Sequence, residues 1–153
     1  MNRLRSGCLT NLFLLNLALL FTHEIDSAYW HEWELFGIPG GIQTFLALNL
    51  ILILFGLWGF TIYAGEGRTG LGSSLAVALA GVFAGCIHTY FILRGHPQFQ
   101  TPASLALLAA ILVVSGLQAV LTVAAMRDTT RGAGTRGAIK VASTGGTFRG
   151  DTR

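Results

Sequence analysis

Charge is what this chain has least of. Asp, Glu, Lys and Arg supply 11% of its 153 residues while 52% are hydrophobic, whereas an ordinary soluble domain is nearer one-quarter charged. The deficit excludes a water-facing globular domain and implies an integral membrane protein. Further absences narrow the chemistry. The two cysteines, Cys8 and Cys86, make no C-x-x-C, so thiol–disulfide exchange has no support. On the topology below they lie at different depths, do not pair, and read as buried apolar thiols. No H-E-x-x-H occurs, so the metalloprotease helix signature is missing. Arg3, Arg5 and the apolar run from Leu12 to Phe21 look like the start of a signal peptide, but His23, Glu24 and Asp26 follow with no small-x-small cleavage site. The segment is therefore expected to stay as a membrane span.

Four apolar runs are present, at about 9–30, 42–64, 71–93 and 103–126, near the roughly 20 residues a helix needs to cross a bilayer. Lipid offers the backbone no hydrogen-bond partners, so each run is expected to be helical. The short connectors predict an all-α, up-down four-helix bundle over 1–126. The remainder, 127–153, is rich in Gly, Thr and Arg without apolar periodicity, and reads as a basic disordered tail touching anionic lipid. It carries one aromatic, Phe148, and no interleaved stacking pattern, so nucleic acid is not an expected partner. Nine of the ten basic residues (Arg3, Arg5, Arg68, Arg127, Arg131, Arg136, Lys140, Arg149 and Arg153) fall on one side of this topology, and only Arg94 on the other. The positive-inside rule puts both termini in the cytoplasm.

The ionisable groups are concentrated. Residues 23–34 hold two of the four histidines and four of the seven acids, where a span meets water. Such groups are costly there without partners, which marks the place as functional. If the first helix runs on to about Leu35, at 100° per residue, then His23, Glu24, Asp26, Ser27, His31 and Glu34 share about half its circumference. Glu32 falls on the opposite side and is expected to face solvent. Tyr29, Trp30 and Trp33 suit an interfacial aromatic belt. On the third span Ala76, Ala80, Ala84 and His88 recur every four residues, with Gly81 and Gly85 alongside. Small residues at that spacing predict close helix packing, and they carry His88 into the bundle at about the depth of His23. The Gly81-x-x-x-Gly85 pair serves a homo-oligomer as readily as packing within one chain.

Three chemical readings remain open. The first is a divalent metal site with His23, Asp26, His31 and His88 as ligands, beside which Glu24 is the candidate catalytic base. The second is haem held between His23 and His88, disfavoured by the tight packing expected of the small-residue stripe. The third is a structural network of His23, Glu24, Asp26 and Arg94. Asn16, Asn49, Ser115 and Gln118 read as interhelical hydrogen bonds, too few to line a transport pathway. A metal-dependent hydrolase acting on a lipid or envelope substrate predicts an outward cleft beside the cluster. A non-catalytic membrane module predicts a closed bundle with its acids paired.

The run Thr22-His23-Glu24-Ile25-Asp26, followed by His31-Glu32-Trp33-Glu34, and the later His88-Thr89-Tyr90-Phe91 and Gly95-His96-Pro97, resemble a family of small bacterial four-helix membrane proteins. Its pattern is H-E-[LI]-D…H-E-W at the end of the first span, and it is a domain of unknown function. The resemblance covers about 9–126. It implies the bundle fold, bacterial origin and an inner-membrane location, and no activity.

Overall fold

The computed structural model describes the backbone of residues 3–65 and 67–144 and the side chains of 6–65 and 67–130. It contains α1 (Arg3–Tyr29), α2 (Glu32–Leu35), α3 (Gly41–Ala64), α4 (Gly67–Leu93) and α5 (Pro102–Thr144), and no strand among the described residues. All but the four-residue α2 include a segment long and apolar enough to cross a membrane. The protein is an all-α bundle.

Helices α1 and α5 run antiparallel, as do α3 and α4, where Gly70 lies against the Tyr63 backbone and Ser73 against Gly59. Asn16 of α1 meets Gln118 of α5, while Asp26 meets Ser104. Ser73 of α4 donates to the Gly59 carbonyl of α3 at 2.6 Å. By the same logic α1 and α4 run parallel. Helices α1, α4 and α5 pack as a trio, and α3 flanks α4 and touches α1 more sparsely. At one end Leu9, Phe13, Leu17, Tyr63, Leu71 and Ala125 form a closed apolar core. Phe13 stacks on Tyr63 with ring centroids 5.1 Å apart. The polar cluster lies at the other end.

Gly81 and Gly85 face α5. A methyl group at either would run into Ser115 or Leu112 respectively, so this glycine pair is used for packing within the chain. The alanines at 76, 80 and 84 do not share that seam, as described below. Both cysteines are free and lie on the outer surface; they are not the buried thiols expected, because in a membrane bundle the apolar side faces lipid. The stretch from residue 127, expected to be disordered, is helical as far as Thr144. It lacks proline and carries Ala, Arg and Lys, which favour helix. Residues 145–153 of that expected tail lie outside the described residues.

Candidate metal centre

Parallel α1 and α4 each carry a histidine one to two turns from the same end, and the two rings meet. His23 is 1% exposed and His88 2%. Their centroids lie 4.5 Å apart at 87°, edge to face. That is ring contact, with no room for a macrocycle between them. On the far side Phe99, fully buried, packs against His88 at 4.4 Å and His23 at 5.7 Å. It reaches them from the α4–α5 connector with φ at 63°, a left-handed conformation that is strained for a bulky side chain.

The third member is Glu32, the residue expected to face solvent. Helix α1 does not continue to Leu35. It ends at Tyr29, and His31 adopts φ 52°, ψ 49° before α2 begins. The turn reverses the chain, which overturns the 100° extrapolation and swings Glu32 back over the helix end. Its Oε1 stands 3.4 Å from His88 Nε2. Suitable ligand atoms of His23, Glu32 and His88 all lie within 4.8 Å of one another. An ion with bonds of about 2.0–2.2 Å is brought within reach of all three by small side-chain shifts.

The hydrogen bonding of this trio is incomplete in an informative way. His88 Nδ1 lies 2.8 Å from the Ala84 carbonyl. A carbonyl only accepts, so Nδ1 carries the proton and donates it. In the neutral ring Nε2 then turns a lone pair toward a carboxylate oxygen, and neither group can donate. A proton or a cation has to sit between them. His88 Nε2 and His23 Nδ1 are both buried without a hydrogen-bond partner. Burial disfavours the charged form of Glu32, but the proximity of His88 and Ser27 and the imidazole charge outweigh it and hold the carboxyl below its ordinary range.

The other candidates are placed differently. Asp26 is half-buried and accepts from Ser104 Oγ at 3.0 Å, which itself accepts from Trp30 Nε1 at 3.3 Å. It ties α1 to α5 and stands outside the trio. His31 is 61% exposed and lies 3.9 Å from Glu34, itself 72% exposed, also apart from the trio. Arg94 donates to Tyr90 Oη at 3.1 Å and lies over that ring, so it does not join the network read from the sequence. Glu24 is half-buried, near Asn49 of α3 and in the electrostatic field of Glu32 and His88.

Glu24, His23, Glu32 and His88 all open onto one cleft of about 880 Å³ between α1, α3 and α4. Its floor is Ala76, Ala80 and Ala84. The stripe read as a close-packing seam is instead the base of a groove. Small residues permit either outcome, and here α3 does not close down on them.

Residues 9–125 match the model of a family described as "Family of unknown function (DUF6713)". The chain belongs to that family. Neither the curated proteins nor the solved structures gave a match. Membership in DUF6713 brings no activity with it, so the chemistry of this DUF6713 protein rests on its own side chains. Two imidazoles and one carboxylate from three helices are a donor set suited to zinc and related divalent ions, with a second carboxylate beside them. Reading the sequence missed Glu32 because nothing in Trp30-His31 announces a left-handed turn.

Proposed function

We propose that this protein is a membrane-embedded divalent-metal protein, with His23, Glu32 and His88 as ligands, that performs hydrolysis at the membrane surface. The observation that carries the reading is the facing pair His88 Nε2 and Glu32 Oε1, with the opposite ring nitrogen fixed by the Ala84 carbonyl. A backbone carbonyl on the remote nitrogen is the usual outer support of a metal-binding histidine. Three protein ligands leave a position for water or substrate, and such an ion acidifies bound water and polarises a carbonyl. Glu24, at the same end of the cleft, is then the base that receives the proton. The skew of Lys and Arg supports an outward-facing cluster with both termini in the cytoplasm, and a bacterial inner membrane as the setting. Maleimide labelling of Glu34→Cys from outside, with Gly67→Cys protected, tests that orientation.

Elemental analysis of protein purified without chelator tests the centre. About one ion per chain is expected in the wild type; His88→Ala should lower it by more than tenfold, because losing even an outer-shell partner costs about 10–100-fold in affinity. Glu24→Gln should keep the ion and lose hydrolysis. Less than about a tenth of an ion per wild-type chain rejects the metal reading in favour of a non-catalytic membrane module.

A further inference from the structure

The cleft runs well beyond the cluster. On α4 it extends from His88 to Thr69, 19 residues or about 28 Å of helix. Outside the polar end its wall is largely apolar: Leu17 and Phe21 from α1, Leu52 and Ile53 from α3, Val77 and Ala80 from α4, with the hydroxyls of Ser73 and Thr69 at the far end. No Lys or Arg lines it among the described residues. The α3 side is also where the bundle is least covered, since Leu46, Leu50, Phe55 and Trp58 are all more than half exposed.

We infer that this cleft takes one acyl chain of a bilayer lipid and presents its ester carbonyl to the His23–Glu32–His88 cluster. The inference rests on the reading of that cluster as a hydrolytic centre and names its substrate class. Depth supports it. His88 is eight residues from the middle of α4 (Gly67–Leu93), about 12 Å, just inside the edge of a hydrocarbon layer whose half-thickness is about 15 Å. Acyl linkages lie at that boundary. Charge supports it as well. Two carboxyl groups, on Glu24 and Glu32, border this end, and no basic side chain is at hand to hold a phosphate. A neutral carbonyl matches this end and a phosphate does not. Because the chain leaves one apolar medium for another, filling the groove gains little hydrophobic free energy, and the groove selects and orients the lipid by shape.

The step balances without any redox partner. Water adds its oxygen to the acyl carbon and gives a proton to Glu24. The bond from acyl carbon to alcohol oxygen breaks, and Glu24 returns the proton to that oxygen. A carboxylic acid and an alcohol result.

The test uses the full chain in phosphatidylcholine vesicles containing a phosphatidylcholine with a diazirine at the end of one acyl chain. After irradiation, peptide mapping locates the label. With the ester at the cluster, the chain end falls near Gly72 to Val77, and label should concentrate there over the outer face of α5 at Val113 and Val120. Ala80→Trp, and separately Ala76→Phe, should reduce that labelling by about tenfold, equivalent to 1.4 kcal/mol, with metal content unchanged. The unchanged metal also certifies the fold. His88→Ala should lose the metal and keep the label. Label spread evenly over cleft and α5 surface, label indifferent to both filling variants, or crosslinking to a second protein copy would overturn the lipid assignment while leaving the metal centre standing. Concentrated label in wild type without metal would instead remove the hydrolytic reading on which the substrate assignment rests.

Discussion

Helix α4 has two faces of small residues, and they behave in opposite ways. One carries Ser74, Ala78, Gly81 and Gly85, all buried. Beside it, Asn16 donates to Gln118 Oε1 at 2.8 Å and Ser115 donates to Asn16 Oδ1 at 3.0 Å. Gln118 Nε2 donates to the carbonyl and hydroxyl oxygens of Ser74, and Ser74 bonds Thr122 at 2.9 Å. The other face carries Ala76, Ala80, Ala84 and His88 and borders open space. There His23 Nδ1 and Asn49 Oδ1 are buried without a hydrogen-bond partner, and His88 Nε2 has only the Glu32 carboxylate before it at 3.4 Å. A polar group inside a bilayer is expensive in either place. Where the partners are complete it specifies helix register; where they are incomplete it marks a site that needs a ligand.

Neighbouring residues on α4 offer the sharpest way to break this contrast. Valine at Gly81 meets Ser115 and Asn16, and overpacking of that kind costs about 1–3 kcal/mol. Valine at Ala80 projects into the cleft and should stay within about 0.5 kcal/mol. Unfolding in detergent by denaturant titration measures both. Equal losses at the two positions would mean that the groove closes in the membrane and that the two faces do not differ.

Two amides give the next largest effect. Gln118→Leu removes a side chain with contacts to Asn16 and Ser74, leaving Asn16 Nδ2 without its acceptor. At an average of about 0.6 kcal/mol per interhelical hydrogen bond in membranes, the three contacts amount to about 2 kcal/mol. Asn49→Leu removes a bond to the Phe45 carbonyl within its own helix and a single interhelical contact, with Glu24, and a cost below about 1 kcal/mol is expected. A costly Asn49→Leu would show that Asn49 holds α3 in place and that the cleft is as structurally bound as the seam.

The bundle was legible because lipid leaves little choice: long apolar runs with few charges must be helices, and short connectors make neighbours antiparallel. The shared depth of His23 and His88 followed from their positions along single helices, which local geometry controls. Three features depended on what happens between elements. Ala80 and Gly81 are both small, and only the position of α3 decides which one meets a neighbour. Asp26 shares the polar side of α1 with His23, but Ser104 at the start of α5 takes its carboxylate. Glu32 joins the cluster through a left-handed residue that no glycine or asparagine signals. Phe99, the lid over both rings, depends on the same kind of backbone state in the other connector, and its contacts span more than seventy residues of sequence.

That turn also supplies the smallest test of the comparison. His31 was an expected ligand, yet its ring is exposed and its partner Glu34 is more exposed still. An exposed pair contributes about 0–1 kcal/mol. The backbone at φ 52° favours glycine over any residue with a Cβ, and the left-handed state costs an ordinary residue roughly 1–2 kcal/mol. His31→Gly therefore loses a weak pair, relieves strain, and adds chain entropy to the unfolded state. These terms oppose one another, so stability should move by less than about 1 kcal/mol, read as a detergent unfolding midpoint. Metal content should not change, because the turn that aims Glu32 is kept. Loss of the ion in His31→Gly, with Glu32→Gln retaining it, would return His31 to the ligand set and would detach α2 from the centre.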